Sequence, residues 1–423
     1  MDSIHFERHT LANGLTVILA PDQAVPVVAV NLWYGVGSRN EREGRSGFAH
    51  LFEHMMFQGS AHVPKNRHFE LVERAGGSLN ASTWFDRTNY YETLPSHHLD
   101  LALWLESDRM GWLLEAMDQE KLDNQRDVVL NERRQRYENQ PYGDWDERMQ
   151  ALLFPPEHPY HHTVIGSAED IRKATLEDVE DFFQTYYVPG NAVLTLAGDL
   201  EPDDALARVE RYFGPIPADG DPPPLPGEPE LEPWIGATVR ERVEADVPLP
   251  RAYLAARIPP FTKEEFYPAD VASSILADGR ASRLFRRLVR ERRVAKDVVA
   301  FALPLTTGRS FLLAWATGYE GGDPEELEEA LAGEMEALAD VADHEVERAV
   351  ALSETRLVRQ VEQLASRADL LSMYQMLFGD AGRLSRELDH LRAVTPDRVR
   401  DLAGEILVPE NRAILTYVPR EES

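Results

Sequence analysis

A short pattern that occurs twice, 220 residues apart, limits what this chain can fold into. Val188-Pro189-Gly190-Asn191 recurs as Val408-Pro409-Glu410-Asn411, and at the same offset Thr175 matches Thr395 and Val179 matches Val399. Each copy reads as a helix, a Val-Pro-x-Asn turn and an apolar strand. Between the copies, Pro215 to Pro233 holds eight of the 28 prolines, a run that builds neither helix nor interior strand. At 423 residues the chain also exceeds what one hydrophobic core usually supports. The expectation is two domains of one fold, 1–214 and 236–423, joined by a proline-rich linker at 215–235.

Within the first half, Asn13-Gly14 between two β-prone runs predicts a hairpin, and the apolar run from Pro26 to Tyr34 predicts a central strand. A short helix over 67–76 stops at Gly76-Gly77, and the alternation from Thr83 to Tyr91 predicts a strand pair turning near Asp86. Helices are expected at 98–117, 119–139, 167–187 and 201–213, with Ser167 and Asp170 capping the third. In the second half the pattern predicts strands near 236–244, 251–258, 295–303 and 310–317. It predicts helices at 268–293, 323–338, 342–378 and 395–406.

The chemistry concentrates in Ser46–Ser60, which contains His50-x-x-Glu53-His54. On a helix these three side chains fall on one face, a turn apart. Two imidazoles so placed can share one metal ion, zinc being the expected one, with the carboxylate beside them available to take a proton from water. A surface helix carrying two histidines by accident is the alternative. Phe48, Leu51, Phe52, Met55 and Met56 argue against it, because a helix apolar nearly all round is buried and buried His and Glu need partners.

A hydrolytic zinc usually has three protein ligands. There are no cysteines, so disulfides, thiol catalysis and Cys-zinc sites are excluded and the third ligand is His, Asp or Glu. The histidines at 158, 161 and 162 lie near Pro155, Pro156 and Pro159, where a surface position is expected. Glu132, after the apolar run Val128–Leu130 on a helix that must pack inside, is a better candidate, although a buried Glu more often pairs with Arg. The formal net charge of −29 disfavours nucleic acid and anionic membrane surfaces as partners. It suits basic substrates if the acids line a cavity, and equally a solvated acidic surface. Without a basic leader or an apolar run near 18 residues, a cytoplasmic protein is expected.

These residues carry a family resemblance. His50-x-x-Glu53-His54, the block Asn80-Ala81-x-Thr83-x-x-Asp86-x-Thr88-x-Tyr90 and Asp127-Val-Val-Leu-Asn-Glu132 resemble the inverzincin zinc peptidases, the family of pitrilysin, insulin-degrading enzyme and the mitochondrial processing peptidase. Asn13-Gly14-Leu15, Gly35-Val-Gly-Ser38 and Ser282-Arg-Leu-Phe extend it over nearly the whole chain. The resemblance implies an α+β fold of two homologous domains in tandem, each a mainly antiparallel sheet with helices packed on it, the second domain lacking zinc ligands. It implies one Zn2+ per chain held by His50, His54 and Glu132, with Glu53 as general base. Asn80 and Ala81 stand where the family offers a sheet edge to an extended peptide, by β-augmentation. Read from the residues alone, Asn80 suits a turn equally well.

Two departures are visible. Gln125 replaces a Glu that orients a ligating His in many members, and its amide oxygen can accept an imidazole N–H without the charge. Members active on their own carry an Arg and a Tyr in the second domain that bind the substrate peptide. Here Val289 and Lys296 occupy those places; a one-residue shift restores Arg290 but no Tyr. The resemblance then implies a zinc endopeptidase subunit whose homologous partner supplies the missing pair, a heterodimer in preference to a homodimer. A non-catalytic assembly subunit and a maturation peptidase for one small precursor are the rival readings.

Overall fold

The computed structural model describes residues 4–218 and 231–420. Most of the expected linker, 219–230, lies outside the described residues. The first half builds a six-stranded sheet from β1 (Glu7–Thr10), β2 (Thr16–Pro21), β3 (Val27–Tyr34), β4 (Ser78–Thr83), β5 (Thr88–Pro95) and β6 (Ala192–Gly198), in the order β1-β2-β6-β3-β5-β4. Every pairing is antiparallel except β2 with β6. The Asn13-Gly14 turn forms as expected, with Gly14 at φ +91°. β3 is central and almost wholly buried.

The second half repeats the plan with β7 (Val239–Ala245), β8 (Arg251–Ile258), β9 (Asp297–Leu303), β10 (Ser310–Thr317) and β11 (Ala413–Pro419), ordered β7-β11-β8-β10-β9. Again one pairing is parallel, β11 with β7, and it corresponds to β6 with β2. The fold is α+β with two related domains. The 220-residue repeat has a physical basis in both copies. Thr175 and Thr395 each cap a helix by accepting from a backbone N–H, that of Asp178 (3.1 Å) or Arg398 (3.3 Å). Val179 and Val399 are fully buried. Asn191 donates to the Tyr186 carbonyl (2.9 Å) and Asn411 to that of Ile406 (3.0 Å), tying the helix end to the strand start.

Helices α1 (Phe48–Met55), α2 (Arg67–Arg74), α3 (Leu99–Trp112) and α4 (Gln119–Arg133) belong to the first sheet's unit, and α5 (Trp145–Leu153) to the second's. Two segments group with the sheet of the opposite half. Val358–Arg386 joins the first unit and Arg134–His162 the second. The expected 342–378 helix breaks at Gln363, and its second part, Leu364–Phe378, lies on β3 and β6. There Asp369 Oδ1 accepts from Trp33 Nε1 (2.8 Å), Asn89 Nδ2 (2.9 Å) and Asn31 Nδ2 (3.2 Å). In the second unit, Trp145 of α5 stacks on Tyr253 of β8 at 5.3 Å, and Tyr417 of β11 donates to Asp144 (2.6 Å). The contiguous halves expected from the sequence therefore differ from the compact units by this exchange.

Other differences are local. The 167–187 helix is two helices, because Thr175 starts a new capping box; Ser167 caps the first by accepting from Asp170, as expected. The end of the 119–139 helix loosens into a π-type turn at Arg134–Glu138, whereas the expected 268–293 helix stops at Ala277, turns at Gly279 (φ +74°) and resumes as a separate π-type segment, Phe285–Glu291. No described helix is long and apolar enough to cross a membrane.

The repeat makes a stability prediction. Asn411 is fully buried and donates to two carbonyls, those of Arg257 (2.8 Å) and Ile406 (3.0 Å). Asn411→Ala should destabilise by about 1–3 kcal/mol, read as a lower urea midpoint. Asn191→Ala should shift it in the same direction by less.

Candidate metal centre

The centre is built on α1, an eight-residue helix too short to be stable by itself. Phe48 and Phe52 pack on Phe182, with ring centroids 5.2 Å apart in each case, and Phe52 also meets Tyr187 at 4.4 Å. The helix starts at Gly47, with φ +85°, where a Cβ would come within 2.3 Å of the Ile165 carbonyl; only glycine fits. Gly47 has no side chain to cap the first turn. The Glu41 carboxylate does so from outside the helix, accepting from the N–H groups of Gly47 (2.9 Å) and Ala49 (2.7 Å).

That anchoring points His50 and His54 at Glu132, which sits near the end of α4. His50 Nε2 lies 3.8 Å and His54 Nε2 3.5 Å from Glu132 Oε2. These three are the only group of three or more His, Cys, Asp or Glu among the described residues spaced to hold a metal, their donor atoms all within 4.8 Å of one another. Zinc–ligand bonds of about 2.1 Å in a tetrahedron put donor atoms about 3.4 Å apart. Two imidazole nitrogens and a carboxylate oxygen at this spacing fit a zinc ion with little rearrangement, and the donor types suit it.

Glu53 lies beside the group and receives a hydrogen bond from Thr83 Oγ1 at 2.5 Å. Burial lifts its carboxyl above the ordinary range; the Thr83 bond and the charges on His54 and Arg87 oppose that lift without cancelling it. At His54, burial acts to lower the pKa, but Glu132, Glu53 and a hydrogen bond with Gln125 outweigh it and the net shift is upward. Two carboxylates, Glu53 and Glu132, thus act on the His54 imidazole. Gln125 is buried on α4, and its amide also donates to Asn124 (3.0 Å).

β4 is the edge strand of its sheet, with Asn80 opposite Tyr91 and Ala81 opposite Tyr90 on β5. Asn80 is in a strand, not a turn. Its side chain is exposed and its Oδ1 accepts from the Ala81 N–H (2.9 Å). The second-half positions belong to the other compact unit. Val289 and Arg290 fall on the π-type turn, and Lys296 donates its N–H to the Thr317 carbonyl (2.8 Å) with its ammonium 5.6 Å from the Tyr319 ring. In the histidine run near 160, His158 is not on the surface as expected, while His161 and His162 are half-buried. His158 is only 1% exposed, stacked on Phe154 at 4.8 Å, and accepts from the Tyr160 N–H. Sequence reasoning gave no role to Thr83 or Arg87. Arg87 ties the β4–β5 turn together by donating to the Ser82 carbonyl (2.7 Å) and Asn89 (3.0 Å). A Ser-Thr pair at a strand end carries no signal of such contacts.

Comparison with known proteins gives the family. Residues 16–152 match the family described as "Insulinase (Peptidase family M16)", and residues 173–353 match "Peptidase M16 inactive domain". "Zinc protease PqqE" of Helicobacter pylori is 32% identical over 336 residues, which cover 78% of this chain and 73% of that protein. The chain belongs to peptidase family M16. Among other M16 relatives, "Uncharacterized zinc protease YmxG" of Bacillus subtilis is 24% identical over 409 residues, 96% of each chain. A "Probable mitochondrial-processing peptidase subunit beta" of Arabidopsis thaliana is 28% identical over 242 residues, 57% of this chain and 44% of that one. A crystal structure of a protease from Helicobacter pylori superposes with a TM-score of 0.91 at 28% identity, covering 98% of this chain and 99% of the other. A chain of complex III from Candida albicans shares the M16 fold, with a TM-score of 0.80 at 17% identity.

Another histidine of the first unit sets a pH dependence of stability. His68 on α2 is 1% exposed; burial, reinforced by the Arg109 guanidinium, holds its pKa down at about 3. Folded His68 stays neutral where the unfolded chain takes up a proton, below about pH 6.5. Stability should therefore fall as the pH drops from 6.5 towards 3. Urea titrations at pH 7 and 5 should show a smaller loss for His68→Phe than for the native chain.

Proposed function

We propose that the chain is the catalytic subunit of a zinc-dependent endopeptidase acting on extended peptides. The observation that carries this reading is the convergence of His50, His54 and Glu132, whose donor atoms all lie within 4.8 Å of one another, with Glu53 alongside. His50, His54 and Glu132 would hold the zinc. When bound, zinc supplies polarisation of the scissile carbonyl and a lowered pKa for water. Glu53 takes a proton from the attacking water as the oxygen bonds to the carbonyl carbon, then passes it to the amine nitrogen as the C–N bond breaks. The Gln125 amide, buried on α4 and close enough to His54 to raise its pKa, is the group that would accept from the ring and orient it. The open edge of β4, at Asn80 and Ala81, receives the peptide backbone.

Support comes from relatives named as zinc proteases. In this reading the first domain, 1–214, is the catalytic one and the second holds no ligands; its family match carries the name of an inactive domain. A homologous partner subunit would supply the Arg and Tyr replaced here by Val289 and Lys296. One relative is itself named as a subunit of a processing peptidase. The second reading is a non-catalytic assembly subunit, since one fold serves more than one function.

Two experiments separate these readings. Glu53→Gln should keep one zinc per chain by elemental analysis and lose about 10²–10⁴ of peptide turnover. Wild-type turnover in that variant would refute the mechanism, and an absence of zinc from the native protein would favour the assembly subunit. Peptide cleavage should be confined to the mixture of this chain with a homologous subunit; full activity from this chain alone would sink the split site.

A further inference from the structure

Thr83 stands at the end of β4, opposite Thr88 and next to the turn that Arg87 closes. Its hydroxyl has one proton and a carboxylate only accepts, so the 2.5 Å contact with Glu53 Oε2 commits that proton to Glu53. It is the one side-chain hydrogen bond Glu53 receives among the described residues. Thr88 does not compete, because its hydroxyl donates to the Val36 carbonyl at 2.9 Å and lies 3.4 Å from Thr83 Oγ1. Thr83 is β-branched, with a restricted χ1, so its oxygen is itself held in place by the strand.

A glutamate has three rotatable side-chain bonds, and a base that wanders by about 1 Å can lose about 10²-fold in rate. We propose that Thr83 is a positioning residue for Glu53: its hydroxyl fixes one carboxylate oxygen and leaves the other to meet the attacking water. This rests on Glu53 being the proton acceptor. It also joins two jobs on one strand, since Thr83 lies two residues beyond Ala81 on β4. A peptide that pairs with β4 is then placed by the same strand that aims the base. Substrate register and base position are set together.

The test uses the zinc-loaded full chain, with its partner subunit where activity requires one. Thr83→Val removes the hydroxyl and keeps the branched shape; Thr83→Ser keeps the hydroxyl. Thr83→Val should lower kcat by about 10-fold or more, with KM and zinc affinity, measured by chelator competition, within about twofold of wild type. Thr83→Ser should recover most of kcat. In a Glu53→Gln background, Thr83→Val should cause no further loss, since both changes act through one carboxylate.

Wild-type kcat in Thr83→Val, or equal losses in the Val and Ser variants, would overturn the proposal. So would a fall in zinc affinity or Tm that accounts for the lost activity. A Glu53→Gln enzyme with full activity would defeat the peptidase mechanism itself. An inactive Glu53→Gln enzyme beside a fully active Thr83→Val enzyme would defeat only the positioning role.

Discussion

The first-turn anchoring of α1 is the constraint on which the centre depends. Eight residues cannot hold a helix in water, and this one must be held at the correct rotation because three polar side chains share one of its faces. Glu41 caps its amides, and Gly47 lets its backbone pass against Ile165. The aromatic group of Phe182 and Tyr187 fixes its apolar face. Asp170 adds a further tie by accepting from both the N–H (3.0 Å) and the hydroxyl (2.7 Å) of Ser46. These anchors come from three separate parts of the sequence. Rotating α1 by one residue, about 100°, would turn both imidazoles away from Glu132.

The second organising fact is the exchange of segments between the repeated halves. Asp369 shows why Leu364–Phe378 docks where it does. A carboxylate collecting three donors from β3 and β5 is specific in a way that apolar packing is not. The chain therefore crosses between its compact units more than once, and neither unit is a contiguous stretch of sequence. Unfolding of one unit removes elements from the other half's stretch of chain as well.

Much of this was legible in the sequence, for identifiable reasons. Period-two alternation and the Asn-Gly turn gave the strands, because one face of each is buried. The 220-residue repeat gave the tandem plan, since Thr caps and Val-Pro-x-Asn turns are local and do not depend on distant partners. His50, Glu53 and His54 were readable because helical spacing alone brings them together. Glu132 reaches the centre through α4 packing on α1; the apolar run before it made it a candidate among several, and the family resemblance singled it out. The exchange was invisible because helix formers run through 342–378 with no Pro or Gly at Gln363, so the break there is imposed by docking. The burial of His158 was missed because its prolines suggest a surface loop, whereas Phe154 stacks on it. Thr83 carries no local signal, since its partner lies 30 residues away.

The Asn80 side chain gives the exposed strand a removable cover. An unpaired edge N–H invites any extended chain, including another copy of the same protein, and such edges aggregate. Here the Ala81 N–H already has an acceptor in Asn80 Oδ1. An incoming backbone carbonyl replaces one hydrogen bond with another of similar strength, so the exchange itself gains little. Under the proposed function, a peptide pairing with β4 at Ala81 must first displace the Asn80 side chain, so contact at that one amide adds little to its hold and the rest of its contacts would set how long it stays.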